Sequence, residues 1–172
     1  ITEPYLGAAG SFHPPHWYMR LLEEFCEEQN AAFIFDEVQS CHGRTGSMYA
    51  YQTYGVTPDL VVMGKGLGNG EPVAAVAGRK DYIESLDYGE ASDTFSGNPR
   101  ACAAVCAALD VFAEERIVEQ VREKAPYLRS SLESLAEAFP FIQAIRGEGF
   151  VYGMETASKA AAEACVLEAY RG

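Results

Sequence analysis

Two charged residues of opposite sign, Asp36 and Lys65, each follow an apolar run. Ala31-Ala32-Phe33-Ile34-Phe35 leads straight into Asp36, and Leu60-Val61-Val62-Met63 leads through Gly64 into Lys65. Short continuous apolar runs suit parallel strands covered on both faces. In open α/β sheets ligands bind outside the carboxyl ends of the strands, where both charges would emerge, so the pair marks a candidate site. On these two residues alone, a catalytic pair and a buried structural ion pair are equally good readings, because buried charges must be paired.

The glycines around Lys65 do not form a nucleotide loop. The phosphate-loop pattern requires Gly five residues before Gly-Lys and Ser or Thr after it, and the chain has Asp59 and Gly66 there. The dinucleotide fingerprint fails as well, since Asn69 and Glu71 stand where the last glycine is needed.

The segment FIFDEVQSCHGRTGSMYAYQTYGVTPDLVVMGKGLGNGEPVAAVAGR, Phe33 to Arg79, resembles the core of the class III (omega-type) aminotransferases, enzymes of the pyridoxal-phosphate fold type I. TFSGNP, Thr94 to Pro99, is similar to a second motif of that family and follows in the expected order. The resemblance extends with decreasing sharpness from Glu3 to about Glu155. It implies an α/β fold: part of a large domain with a mostly parallel sheet flanked by helices (1–125, with its connecting helix), then the start of a small α+β C-terminal domain (126–172).

The roles implied by the resemblance make physical sense. Lys65 would form a Schiff base with pyridoxal 5′-phosphate and then move a proton between substrate carbon and cofactor. Asp36 would keep the pyridinium nitrogen protonated by charge pairing. Val38 would pack on a ring face and Gln39 would hydrogen-bond the phenolic oxygen. Glu37 would point the other way along a strand of period two and take no part. Thr94 would reach the cofactor phosphate of a neighbouring subunit, which implies a homodimer with shared sites. The implied reaction is transamination between an amine or amino acid and a 2-oxo acid or aldehyde. Aminomutase, epimerase or decarboxylase chemistry on the same scaffold is the alternative, as is a non-catalytic truncated fragment.

Family members are far longer than 172 residues, so a middle piece is expected, without the glycine-rich phosphate loop and stacking aromatic of the front or the substrate-carboxylate arginine of the end. A composition of 48% hydrophobic and 22% charged residues is ordinary globular usage and permits one sizeable core. The net charge of −12 disfavours nucleic acid and anionic membranes as partners. No run approaches a membrane span, and the five cysteines, in apolar contexts without metal spacing, read as reduced, buried thiols of a cytoplasmic protein. His13 and His16 flank Pro14-Pro15 and read as a loop and a helix start, with no third metal ligand.

Several elements must position these residues. Tyr18, Leu21, Leu22, Phe25 and Cys26 recur at helical spacing between Pro15 and Asn30, with Asn30 suited to end the helix in the left-handed region. The connection 40–58 carries GRTG (43–46) and three tyrosines, and His42 replaces a residue usually apolar or aromatic in the family, which would tune the pocket. Arg44 has an ionic role without assignment to substrate. Val73 to Ala77 reads as another buried strand, 92–97 as a loop, and Asn98-Pro99 as a cap and first-turn proline. The helix starting there is expected to continue, bent, towards Arg122, with another from Pro126 to Ala138. Phe141 to Thr156 alternates like two strands joined at Gly147-Glu148-Gly149, with Arg146 structural, and Ser158 to Tyr170 reads as a final helix.

Overall fold

In a computed structural model the protein is described over residues 1–91 and 93–172. Pro14-Pro15 bring the chain into helix α1 (His16–Glu28), which ends at Asn30 with φ 49° while Ala31 N–H donates to Cys26 O at 2.8 Å. Met19 is fully buried, and Leu22 and Cys26 pack beside it against Phe33, Phe35, Tyr54 and Val56. The packing stripe is therefore Met19, Leu22 and Cys26. Leu21 and Phe25, expected to pack, are more than half exposed, as is Trp17. Neighbouring apolar positions can be read as one of two overlapping helical stripes, and only the covering strand selects between them.

Strand β1 (Ile34–Asp36) pairs in parallel with β2 (Leu60–Met63), Ile34 opposite Leu60 and Asp36 opposite Val62. Thr2 adds a parallel bridge on the other side of β1, at Phe35. On both strands burial alternates: Phe35, Val61 and Met63 are buried, whereas Ile34, Leu60 and Val62 are half-buried. The apolar runs thus pack fully on one face only. Strand β3 (Ala75–Gly78) pairs antiparallel with β2 and lies largely exposed at the sheet edge, where a buried strand is expected. Gly78 is required there, because a Cβ would stand 2.1 Å from Asp59 O. Asp59 ties the edge together, accepting from Phe33 N at 2.8 Å and from Arg79 Nη1 at 2.8 Å.

Between β1 and β2 the chain forms one short helical turn, α2 (Tyr51–Tyr54), closed by Gly55 in the left-handed region. Glu37, with no exposed surface, anchors this turn. Its carboxylate accepts from Ala50 N at 2.7 Å, Tyr51 N at 2.8 Å and Ser40 Oγ at 3.1 Å, and its own N–H donates to Val62 O at 2.9 Å. Burial pushes the carboxyl above its usual range, opposed by those three bonds.

After β3 come a short turn, α3 (Lys80–Ile83), and a loop into α4 (Pro99–Glu114), where Asn98 caps the helix by accepting from Ala101 N at 2.9 Å. The break after α4 falls at Arg116, φ 52°, and α5 (Ile117–Ala138) then runs without interruption through Pro126 and through the expected domain boundary. Glycine and proline punctuation points elsewhere, since the break has neither and the proline does not end the helix. Strands β4 (Ile142–Glu148) and β5 (Val151–Thr156) form the expected antiparallel hairpin, packed on α5, and α6 (Lys159–Arg171) follows with Ser158 as its cap. Of the cysteines, all free, only Cys41 is buried; Cys102, Cys106 and Cys165 are exposed, contrary to the expectation of buried thiols. No helix among the described residues is long and apolar enough to cross a membrane.

Glu37→Ala removes the acceptor of two backbone N–H groups in a site without water access. It is expected to cost roughly 2–4 kcal/mol by chemical denaturation. Glu37→Gln, which keeps one oxygen, should cost less. Equal midpoints for parent and Glu37→Ala would show that the α2 turn does not depend on this carboxylate.

Candidate functional site

At Asp36 the strand ends and the chain turns. Glu37 goes into the interior, and Val38 and Gln39 line a cavity of about 630 Å³ at the carboxyl ends of β1 and β2. Lys65 lines the same cavity from the tight turn Lys65–Gly68, exposed and with φ 39°. A non-glycine residue in that region is held there by its surroundings at a conformational cost. Gly64, just before it, brings the strand end close to Val38: a Cβ at 64 would lie 3.4 Å from Val38 Cγ1.

Asp36 stands behind these residues, half-buried, and is not part of the cavity lining; its Oδ1 accepts from Val38 N at 3.1 Å. Among the described residues Asp36 and Lys65 make no ion pair with each other, and Lys65 has no acidic partner at all. The structural ion pair, equally good on the sequence, is therefore absent. Thr94 lies in an exposed turn before α4, outside this cavity, in a turn where Asp93 accepts from Phe95 N at 2.7 Å. Asp36, Val38, Gln39 and Lys65 are brought to one strand edge, and Thr94 is not among them.

Other lining residues carry no signal in sequence spacing. Tyr5 donates its hydroxyl to Gln39 O at 2.9 Å and stacks on His13 with ring centroids 5.0 Å apart. Gly7 abuts the Gln39 carboxamide, since a Cβ there would lie 2.7 Å from Oε1. The opposite wall is apolar: Phe112, Ile117 and Val121 from the α4–α5 junction, and Phe150, Val151 and Tyr152 from the hairpin. The hairpin tip docks by close backbone contact. Phe150 N donates to Arg44 O at 2.8 Å, and a Cβ on Gly149 would stand 2.3 Å from that oxygen. Arg122 donates to Gly46 O on the same loop. Arg146 holds the hairpin to the N-terminal loop through Gly10 O, 3.1 Å away, the Phe12 ring and Glu155, a structural role as expected. Arg44 itself lines the cavity and, among the described residues, pairs with no acid.

Cys41 and His42 form the cavity wall next to Gly66. Burial pushes the Cys41 thiol up to about 11 and holds His42 below the usual imidazole range, so at neutral pH both are uncharged. The 2.7 Å contact between Cys41 Sγ and His42 Nδ1 is a hydrogen bond between two neutral groups, its direction set by the ring's tautomer.

The donor set suits the ring of pyridoxal 5′-phosphate. An amine free of acidic partners, an amide and a β-branched side chain surround one cavity, with a carboxylate behind them, and the glycines at 64 and 66 leave the backbone beside Val38 and His42 bare. Thr94 does not line this cavity. No cluster of three or more metal-ligating side chains exists among the described residues.

The whole chain, residues 1–172, matches the family model described as Aminotransferase class-III. It is 41% identical over 155 residues to an acetylornithine aminotransferase of Methanopyrus kandleri, a match that takes in 90% of this chain and 39% of that protein. An ornithine aminotransferase of Oceanobacillus iheyensis is 41% identical over 156 residues, again 90% of this chain and 39% of the relative. The crystal structure of acetylornithine aminotransferase from Elizabethkingia anophelis superposes with a TM-score of 0.88 at 34% identity, over 95% of this chain and 44% of that one. The chain thus spans about two-fifths of the length of these relatives.

Gly7→Ala is expected to cost about 1–3 kcal/mol, because its new methyl meets both the Gln39 carboxamide and, 3.1 Å away, the buried Tyr5 ring. A crystal structure of the variant should show the Gln39 carboxamide displaced from its present place; an unmoved Gln39 would mean that Gly7 does not set its position.

Proposed function

The chain belongs to the class III aminotransferase family, and from that membership we propose that the native protein is a transaminase dependent on pyridoxal 5′-phosphate, with Lys65 as its proton carrier. The observation that carries this reading is the Lys65 amine, free of any acidic partner, in one cavity with Val38 and Gln39. The donor is an amine or amino acid and the acceptor a 2-oxo acid or aldehyde. Relatives named for acetylornithine and ornithine favour transamination over other chemistry on this scaffold and favour a donor of the ornithine class.

When bound, pyridoxal 5′-phosphate would supply an electron sink for the pair left when the bond between the substrate carbon and its hydrogen breaks. Each residue has a part in holding or using that ring. Asp36, its carboxylate fixed by the bond from Val38 N, would keep a proton on the ring nitrogen. Val38 would pack on a ring face, and Gln39 would hydrogen-bond the phenolic oxygen. Lys65 Nζ takes the proton from the substrate carbon and returns it to the neighbouring position. The apolar wall of Phe112, Ile117 and Phe150 excludes water and strengthens each electrostatic contact.

Residues 1–125 are part of the large domain, and 126–172 begin the small one, with α5 continuous across the junction. The protein works as a homodimer in the cytoplasm, where free cysteines are the maintained state. Thr94 serves the partner's cofactor phosphate, in keeping with its exposed place outside its own chain's cavity.

Borohydride reduction of the native protein with pyridoxal 5′-phosphate, followed by peptide mapping, should place the adduct on Lys65. An adduct on Lys80, Lys124 or Lys159 would sink the assignment. Mixing native Lys65→Ala and Thr94→Ala subunits tests the shared site separately: hybrid dimers would hold one site with both defects and one with neither, so activity should return. Two inactive parents that exchange subunits and stay inactive would place Thr94 outside the partner's site.

A further inference from the structure

A second cavity, of about 710 Å³, is walled by the β2–β3 connection, by α4 and by the turn before α4, mostly through apolar groups such as Leu67, Val73, Val105 and Leu109, with Asp93 and Ser96 at the turn. Among the described residues His42 is the one that lines both cavities. Its backbone is clamped, with φ 60° and its N–H donated to Met48 O at 2.7 Å. The ring is wedged between Phe112, which faces the first cavity, and Tyr49, which faces the second, with centroids 5.9 and 6.4 Å away. On the third side it takes the Cys41 thiol, and Gly66 beside Lys65 comes within 3.9 Å of it by its Cβ position. The side chain is 7% exposed, and Nε2 is buried without a partner.

We propose that His42 determines specificity as the end wall of the site: its imidazole closes the Lys65 cavity against the apolar cavity and so limits how long an apolar arm a substrate can carry. This rests on the reading of the Lys65 cavity as the place where the amino donor binds. A ring held from three sides in a close-packed wall does not move aside cheaply. Its buried, unpartnered Nε2 also makes the wall unfavourable for a hydrocarbon, which cannot satisfy a polar atom. Short or polar arms stop before the wall. With the ring removed, the two cavities join, and an extended apolar arm gains a surface of matching chemistry.

The test compares the native holoenzyme with His42→Ala and His42→Phe on unbranched primary amines from propylamine to decylamine. In the parent, kcat/KM should rise with chain length and then stop at a cut-off. His42→Ala should move that cut-off to longer amines, each further methylene improving kcat/KM by about fourfold, the equivalent of ~0.8 kcal/mol for a buried methylene. The gain should fall mainly in KM. His42→Phe keeps an aromatic ring of at least the same size in that place and should keep the cut-off. A folded, cofactor-loaded His42→Ala with the parent's cut-off overturns the proposal, as does a cut-off shifted equally by phenylalanine. If no amine is turned over, calorimetric binding of the same series locates the cut-off in each variant, while turnover of ornithine tests the transaminase reading separately.

Discussion

One buried carboxylate sets the geometry on which the rest depends. Glu37 lies at the end of β1 with no exposed surface, and its oxygens are taken by the backbone of the α2 turn and by Ser40. Leaving it unpaired would cost several times a typical surface interaction, so the strand end cannot rotate or slip by one residue. With Glu37 committed inward, Val38 and Gln39 are carried on to the cavity. The same anchoring joins β1 to β2 through Val62 O, and β2 in turn delivers Lys65.

The electrostatics of the site run against those of the molecule. The chain carries a net charge of −12, yet Lys65 and Arg44 line the cavity without acidic partners, while Asp36 is held back behind it. Uncommitted cations at a concave surface attract anionic groups more strongly than the same charges in open solvent. The neutral Cys41–His42 pair adds no charge to that balance and contributes shape instead.

The cavity is closed by parts remote in sequence, through backbone contacts in which a side chain would not fit. Gly149 presses on Arg44 O, and Arg122 reaches Gly46 O, so the hairpin and α5 are both seated on the loop that carries the site wall. That arrangement makes the loop 43–46 a shared footing for the sheet, the hairpin and α5.

The sequence by itself determined the strand ends bearing Asp36 and Lys65, the helix starts at Asn98 and Ser158, the left-handed stop at Asn30 and the hairpin around Gly147–Gly149, along with the family. These are local signals: a cap, a turn residue or an apolar run acts within a few residues of itself. Tertiary structure alone decided that Asp36 and Lys65 do not pair, that Met19 rather than Leu21 and Phe25 faces the core, that β3 is an exposed edge, and that α5 runs through Pro126 after a break at Arg116. It also decided that His42 lines two cavities. Each of those outcomes depends on which surface arrives from elsewhere in the chain to cover a residue, and periodicity and spacing record what a segment offers but not what meets it.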